Sequence, residues 1–295
     1  PPAGVRRLGR VLLTVPDLDG DGRAELLVPG GRLEHVLVHL VPGESAEGVD
    51  PERCSAPVLF LHRGGSGAPE ATQRLEPGEA ELLDAAAGDL DGDGRAEIVL
   101  LLGDRLSILS VGDDGALGVA RELTLERASP HAPRSVSVGD VNCDGNADIV
   151  LALARVSDGD TPRVADVYPG PLTALRAEAR VAVASPPDVP AEGELAAAVV
   201  GDVDGDGCAD LALSASARAA VWTLRGTREG PAPWRDVALP SEALDGRGVV
   251  VSAAGDADGD GRADFLVARP LDRTRAGEPW SEAWLVRSGG ELARL

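Results

Sequence analysis

The chain has 295 residues and a net charge of −21, and all 28 of its basic residues are Arg. Hydrophobic residues make up 43% of the chain but aromatic residues only 2%, so Val, Leu and Ala must fill the core. This acidic balance excludes a nucleic-acid partner, because no basic surface is available to displace counterions from phosphates. No run of 18 apolar residues occurs, so we expect no membrane insertion within this segment.

One nine-residue acidic pattern organises the sequence, and it is clearest at residues 89–97. Carboxylates stand at positions 1, 3, 5 and 9 of this pattern, and Gly stands at position 6. Ca²⁺ takes about six to eight oxygen ligands, which short acidic side chains on a tightly turning backbone can supply. The pattern occurs five times, and we name the copies acidic loops 1 to 5: residues 17–25, 89–97, 140–148, 202–210 and 256–264.

The spacing of the acidic loops points to a repeat architecture. Their first residues are 72, 51, 62 and 54 residues apart, in the range of propeller blades. We expect residues 41–57 to be an insertion in a surface loop that lengthens the first repeat. The segments before loop 1 and after Asp256 together make one further period, as expected for a ring. Short apolar runs bounded by Gly, Asp and Pro flank each loop, which favours buried strands over helices.

We therefore predict an all-β fold, a single β-propeller of four-stranded blades over residues 1–295. Five visible repeats favour five blades, and seven would apply if the chain is a fragment of a longer ring. In the last repeat we expect residues 4–8 to supply or extend the missing outer strand, so that residues 1–8 close the ring. The predicted repeats are approximately 9–80, 81–132, 133–193, 194–246 and 247–295.

An EF-hand is the main alternative for the acidic loops, because their first six positions match its calcium loop. An EF-hand also needs a bidentate Glu at position 12 and two flanking helices. The flanks here are strand-like, and the carboxylate at position 9 must supply the late ligand instead. Position 12 is aliphatic in all five loops: Val28, Leu100, Leu151, Leu213 and Val267.

The stretch Gly-Asp-Val-Asp-Gly-Asp-Gly-Cys-Ala-Asp-Leu at residues 201–211 resembles the FG-GAP/VCBS repeat. That family builds the propeller of integrin α-subunit heads, which have seven blades, and occurs in many secreted bacterial proteins. The Phe-Gly and Gly-Ala-Pro signatures of the integrin version are essentially absent, so the resemblance is to the bacterial type. It implies that each acidic loop joins the first two strands of a blade and binds Ca²⁺, up to five ions in total.

The resemblance also implies a ligand set, with side chains at positions 1, 3, 5 and 9 and the carbonyl of position 7. Asn142 stands where the other loops have Asp at position 3, which lowers the charge of loop 3 but keeps an oxygen. The implied ligands are Asp17, Asp19, Asp21, Arg23 and Glu25; Asp89, Asp91, Asp93, Arg95 and Glu97; Asp140, Asn142, Asp144, Asn146 and Asp148; Asp202, Asp204, Asp206, Cys208 and Asp210; and Asp256, Asp258, Asp260, Arg262 and Asp264.

The three cysteines, Cys54, Cys143 and Cys208, leave two interpretations open. They are either three small thiols or one disulfide with one free thiol, because an odd number without close spacing gives no disulfide framework or zinc site. His35 and His39 share a face if their segment is a strand, but no third ligand lies near them in sequence.

Four tryptophans lie in the last quarter of the chain. Trp222 and Trp284 occupy matching third-strand positions, which predicts packing between blades. Trp234 and Trp280 lie in Pro-containing segments, which we expect to be exposed loops that stack on a sugar or anchor a protein.

Together these patterns predict a calcium-binding propeller that serves as an extracellular or cell-surface recognition or adhesion scaffold for protein or glycan ligands. Extracellular Ca²⁺ can fill weak sites, and the missing start Met indicates that any signal peptide lies outside this chain. One alternative is a carbohydrate-active enzyme resembling polysaccharide lyases, or a lectin, on the same fold; another is a purely architectural segment of a larger surface protein. We expect no enzyme, because the chain has no Lys, one Tyr and no cluster of His to act as catalytic base.

Overall fold

The structure is a computed structural model. It describes residues 13–15, 25–30, 58–62, 71–75, 82–103, 105–112, 117–125, 132–154, 163–171, 180–186, 189, 195–215, 220–239, 250–270 and 281–295. The described part of the chain is all-β, without a helix, and forms five four-stranded antiparallel sheets. It therefore contains no helix that is long and apolar enough to cross a membrane.

Each sheet is a meander in which four consecutive strands pair in chain order. The strands are β1 Leu13–Val15, β2 Glu25–Gly30, β3 Val58–His62, β4 Ala71–Leu75, β5 Leu82–Gly88, β6 Glu97–Leu102, β7 Arg105–Val111, β8 Leu117–Thr124, β9 Pro133–Gly139, β10 Asp148–Leu153, β11 Arg163–Tyr168, β12 Val181–Ala184, β13 Leu195–Gly201, β14 Asp210–Ala215, β15 Ala220–Arg225, β16 Ala232–Ala238, β17 Val250–Gly255, β18 Asp264–Pro270, β19 Ser281–Val286 and β20 Leu292–Arg294. Four-stranded repeats are thus confirmed, whereas closure into a propeller stays a prediction.

The chain divides into two compact units. The first comprises residues 1–88 and 94–125 and holds the sheets β1–β4 and β5–β8. The second comprises residues 89–93 and 126–295 and holds the sheets β9–β12, β13–β16 and β17–β20.

The second strand of a sheet carries the core. Strands β6, β10 and β14 are buried at every position. Both of their faces are covered, which explains why their sequences read as apolar runs rather than alternating patterns. In the second unit, Trp222 belongs to a buried cluster formed by sheets β9–β12 and β13–β16, and Trp284 to one formed by β13–β16 and β17–β20. The prediction that these tryptophans pack between repeats is confirmed.

Two expectations from the sequence differ from the structure. The last sheet is not missing its outer strand, because β20 pairs with β19. Residues 4–8 lie outside the described residues, so their role in extending this sheet and closing the ring stays a prediction. Trp234 lies within β16 rather than in a loop, because the ladder to β15 extends through Pro233 to Ala232. Trp280, His35, His39 and Cys54 lie outside the described part of the chain.

Candidate metal centre

Each described acidic loop is a hairpin connection between the first and second strands of its sheet. The Gly before position 1 pairs with the residue at position 9, so the register places positions 1–8 in the turn. These pairs are Gly88 with Glu97, Gly139 with Asp148, Gly201 with Asp210 and Gly255 with Asp264. The prediction of hairpin loops is therefore confirmed in four repeats, whereas acidic loop 1 lies outside the described residues up to Glu25, which begins β2.

Side chain to backbone hydrogen bonds coil each of acidic loops 2 to 5 around its first carboxylate. In acidic loop 4, Asp202 Oδ1 accepts from the N–H groups of Gly205 and Asp206 at 2.7 and 3.1 Å, and Oδ2 accepts from Gly207 at 2.9 Å. Asp256 in loop 5 accepts from Gly259, Asp260 and Gly261 in the same way. Short acidic side chains bind nearby N–H groups in this manner when the backbone turns tightly.

The carboxylates at positions 3 and 5 use one oxygen each for the turn. Asp204 Oδ1 accepts from the N–H of Asp206 at 3.1 Å, and Asp206 Oδ1 accepts from Cys208 at 3.0 Å. The Oδ1 atoms of Asp258 and Asp260 accept from the N–H groups two residues further on in loop 5. Their Oδ2 atoms are therefore left to interact with groups outside the turn.

The result is a set of converging oxygens. The carboxylates of Asp202, Asp204 and Asp206 each offer an oxygen within 4.8 Å of the others, and Asp256, Asp258 and Asp260 do the same. In acidic loop 2, Asp89 and Asp91 offer oxygens within the same distance of each other. Such groups fit Ca²⁺, which prefers carboxylate and carbonyl oxygens.

One buried atom supports this fit. The Asp204 side chain is 5% exposed, and its Oδ2 atom receives no hydrogen bond from the described residues. A buried carboxylate is costly unless a positive charge lies beside it, and an arginine or a metal ion can supply that charge. Arg225 is the ion-pair partner of this oxygen.

The carboxylate at position 9 fastens the loop to its own sheet. Asp210 Oδ2 accepts from the N–H of Val203 and Oδ1 accepts from Gly226, both at 2.9 Å. Asp148 and Asp264 make the corresponding bonds, and all three residues are fully buried. Glu97 is 3% exposed. The predicted role of position 9 as a late metal ligand stays a prediction, because the structure gives these oxygens hydrogen-bond donors.

Burial affects the protonation of two of these groups. Desolvation raises the pKa of Asp148 to about 6, against the effect of the hydrogen bonds from Gly170 and Val141. Asp210 is raised to a pKa of about 6 for the same reason, against the hydrogen bonds from Gly226 and Val203. Neighbouring carboxylates of the same loop raise both pKa values further, since like charges disfavour ionisation.

Acidic loop 3 has an amide side chain at position 3, where the other loops have a carboxylate. Asn142 Oδ1 accepts from the N–H of Asp144 at 2.9 Å, and its Nδ2 donates to Asp144 Oδ2 at 3.1 Å. Burial opposes ionisation of Asp144, but hydrogen bonds from Asn146 and Asn142 outweigh it and lower the pKa of this carboxyl. Asp140 holds the turn as position 1 does elsewhere.

Backbone hydrogen bonds connect consecutive loops, and this feature was not predicted. The N–H of Ala209 donates to the carbonyl of Asp140 at 2.8 Å, and that of Ala263 donates to Asp202 at 2.8 Å. Ala147 donates to Asp89 at 3.3 Å. The sequence held a signal, because position 8 is Ala in all five loops: Ala24, Ala96, Ala147, Ala209 and Ala263.

The small side chain at position 8 has a steric reason. A Cβ atom on Gly201 would lie 2.8 Å from Cβ of Ala263, and one on Gly139 would lie 3.2 Å from Cβ of Ala209. Two loops can approach this closely only where Gly precedes position 1 and Ala occupies position 8 of the next loop.

A disulfide joins acidic loops 3 and 4, between Cys143 and Cys208, whose Cα atoms are 5.0 Å apart. Of the two interpretations of the cysteines, the structure has the one with a disulfide. Cys143 occupies position 4, where the other loops have Gly, and keeps the left-handed backbone with φ of 60°. Cys208 occupies position 7 of the next loop.

The same two positions are neighbours elsewhere in the second unit. A Cβ atom on Gly205 would lie 3.1 Å from Nε of Arg262, and one on Gly92 would lie 3.5 Å from Oδ1 of Asn146. Position 4 of one loop thus lies beside position 7 of the next in three consecutive pairs. The carbonyl of position 7 stays a predicted metal ligand.

Comparison with known families supports the repeat. The model described as an FG-GAP-like repeat matches residues 202–267. This stretch runs from acidic loop 4 into β18 and includes acidic loop 5, and the match confirms the resemblance seen in the sequence. The sequence matches no curated protein.

Several solved structures are similar to this chain. They include the V. cholerae biofilm matrix protein Bap1, at 19% identity and a TM-score of 0.42 over 96% of this chain and 38% of that one. They also include the exotype rhamnogalacturonan lyase YesX, at 16% identity and a TM-score of 0.43 over 98% of this chain and 66% of that one. A rhamnogalacturonan lyase of Bacillus licheniformis has 14% identity and a TM-score of 0.42 over 97% and 66%. This chain therefore spans less than two thirds of the length of each of these proteins.

Proposed function

We propose that this protein is a calcium-binding β-propeller that acts as an extracellular or cell-surface scaffold for recognition or adhesion. The observation that carries the calcium proposal is the convergence of three carboxylates in each of acidic loops 4 and 5. Asp202, Asp204 and Asp206 would hold one ion, and the matching residues of loop 5 another. The bound ion supplies positive charge that offsets the carboxylates and fixes the hairpin turn.

One observation and one general property of calcium sites support an extracellular location. The Cys143–Cys208 disulfide requires an oxidising compartment to persist. Weak calcium sites of about 10⁻⁴–10⁻³ M are typical of extracellular modules, where the ion is plentiful. The FG-GAP-like repeat at residues 202–267 agrees with a scaffold role, and the proposal includes no catalysis.

We also propose that the repeats close into a ring of five blades. In the second unit the loops follow one another through the same contacts, with position 8 bound to position 1 and position 4 beside position 7. Because acidic loop 1 has the same residues at these positions, it can continue the series after acidic loop 5.

Calcium titration tests the metal proposal. Calorimetry should show Ca²⁺ binding, with up to five ions per chain, and EDTA should lower the Tm by about 5–11 °C for each ion removed. One site filled at 100 times its Kd contributes about 2.7 kcal/mol, and each kcal/mol shifts Tm by about 2–4 °C in a chain of this size. Asp258→Ala should remove one ion, whereas Asp236→Ala, on the exposed side of β16, should remove none. A Tm that does not respond to EDTA would contradict the proposal.

The ligand contact is proposed at Trp234 and Trp280. The support is the sequence, which places both tryptophans beside Pro and charged residues; the backbone of Trp234 lies in the outer strand β16. Aromatic rings of this kind stack on sugars or anchor protein partners. Glycan and protein arrays with and without Ca²⁺ should give a ligand for the natural chain, and replacement of both tryptophans by Ala should abolish its binding. Unchanged binding by that variant would place the contact elsewhere.

A further inference from the structure

In acidic loops 4 and 5, arginine side chains contact carboxylate oxygens that accept no hydrogen bond from their own turn. In loop 4, Arg225 forms an ion pair with Asp204 Oδ2, and its Nε lies 3.7 Å from Asp206 Oδ2. These are the oxygens of positions 3 and 5 that accept no hydrogen bond from their own turn. One guanidinium group therefore faces two of the three carboxylates that converge in this loop.

Acidic loop 5 repeats the arrangement with different residues. Arg287 Nε lies 3.6 Å from Asp258 Oδ2, again the spare oxygen of position 3. Ser288 Oγ donates to Asp260 Oδ2, the spare oxygen of position 5, at 2.7 Å. Arg287 also lies 3.5 Å from Glu291 Oε2, on the turn that follows β19.

Strand register explains why an arginine reaches each loop. Arg225 ends β15 and directly precedes Gly226, whose N–H binds the position-9 carboxylate of loop 4. Arg287 follows β19 and directly precedes Ser288, which binds the position-9 carboxylate of loop 5. The hydrogen bond at position 9 fixes the end of the third strand against the loop, and the preceding side chain then points to position 3.

The third repeat offers an internal comparison. There the residue before the position-9 donor Gly170 is Pro169, which has no charge to offer. Position 3 of the same loop is Asn142, which has no charge to offset, and its amide nitrogen donates to the spare oxygen of Asp144. In the second unit, the two repeats that have a carboxylate at position 3 also have this arginine. The repeat of acidic loop 3 has neither the carboxylate nor the arginine.

We infer that Arg225 and Arg287 are built-in counter-ions of acidic loops 4 and 5, which hold the loops together without metal and compete with Ca²⁺ for the same oxygens. The guanidinium group and the ion cannot occupy one position. Binding of Ca²⁺ must therefore displace the arginine or tolerate a positive charge beside it. Both outcomes lower the affinity of the site.

The exposure of the two arginines makes displacement feasible. Their side chains are 45% and 42% exposed, so each guanidinium can move into water without crossing a packed core. The carboxylate of Asp204, which pairs with Arg225, is buried and cannot move into water with that arginine. Ca²⁺ would therefore exchange places with a partly exposed cation in a fixed anionic site, and the arginines would set the Ca²⁺ concentration at which that exchange occurs.

This inference rests on the proposed function, because it concerns the calcium sites. Its test is Ca²⁺ titration by calorimetry, with thermal unfolding in EDTA, of the natural chain and of Arg225→Gln and Arg287→Gln. Removing one unit charge a few ångströms from a divalent ion should tighten one site by about tenfold. The same variants should have a lower Tm in EDTA, because the carboxylates lose their counter-ion.

Comparison among the variants makes the result specific. Arg225→Lys keeps the charge and should keep the natural affinity, and Arg287→Gln tests the idea in a second loop if Arg225→Gln fails to fold. Arg180→Gln is the control, because Arg180 lies 3.6 Å from Asp166 on β11 and contacts no acidic loop among the described residues. The inference is overturned if Ca²⁺ binds the natural chain and both glutamine variants with equal affinity. A natural chain that binds no Ca²⁺ overturns the proposed metal function and this inference together.

Discussion

At position 9 of acidic loops 3 and 4, a buried carboxyl group receives N–H donors from two directions. The donors to Asp210 come from Val203 in its own loop and from Gly226 after the third strand. One residue therefore joins the turn to the sheet, which explains why the loop needs an acid there even without metal. The same burial raises the pKa of this group from 3.8 to about 6, so near pH 6 the folded protein holds a proton that the unfolded chain has released.

This difference predicts how the stability of the metal-free protein depends on pH. Asp148 and Asp210 bind more protons in the folded than in the unfolded state between about pH 4 and 6, so the free energy of unfolding should fall as pH rises through that window. One pKa unit corresponds to about 1.4 kcal/mol, so each group contributes on the order of 1–3 kcal/mol. The lowered pKa values of Asp144 and Asp260 act in the opposite direction, mainly below this window.

Urea unfolding in EDTA, at constant ionic strength and at pH 4.5 and pH 7, measures this effect. The net charge of −21 works in the same direction, because self-repulsion grows as acids ionise. Asp210→Asn separates the two contributions, since it removes one titrating group and should flatten the slope whatever it does to absolute stability. A stability that rises between these pH values, or an unchanged slope in the variant, would contradict the pKa interpretation.

At the scale of elements, the hairpin around each acidic loop could be predicted because its signals are local. Asp and Gly at fixed spacings determine the turn, and the apolar runs on both sides determine the strands. The described segments that flank acidic loops 2 to 5 are strands, as the short apolar runs predicted. Outer strands were harder, because they are half exposed and their sequences carry weaker patterns. The sequence therefore predicts a loop at Trp234, whereas the structure has this residue in β16.

The contacts between elements could not be predicted from local sequence patterns. The disulfide joins residues 65 apart, and nothing near Cys143 in sequence indicates Cys208 as its partner. Only the alignment of the repeats, with Cys at position 4 of one loop and position 7 of the next, carries that information. The hydrogen bonds from position 8 to position 1 have a similar origin, since they depend on which loops are neighbours in space.

At the scale of the whole molecule, the acidic loops account for much of the net charge. Nineteen of the 49 acidic residues lie in the five loops, where Ca²⁺ would offset them. Neutralising these clusters should favour the folded chain most strongly where loops lie side by side, as they do in the second unit. If the loops bind Ca²⁺ as proposed, the number of repeats that complete this series would determine how many ions the protein takes up.

Closure by acidic loop 1 predicts a specific cross-link. If the ring has five blades, position 7 of loop 1 lies beside position 4 of loop 5, so Gly259→Cys with Arg23→Cys should form a disulfide when Cys54 is replaced by Ser. Gly205→Cys with Arg262→Cys is the positive control, because these positions are already neighbours, and Cys143 shows that Cys can adopt the backbone of position 4. Gly259→Cys with Arg95→Cys is the negative control, since position 7 of loop 2 belongs to a different pair. Intact mass and mobility under non-reducing conditions report the bond. If the positive control forms its cross-link and the test pair does not, the result favours further blades outside this chain over a ring of five.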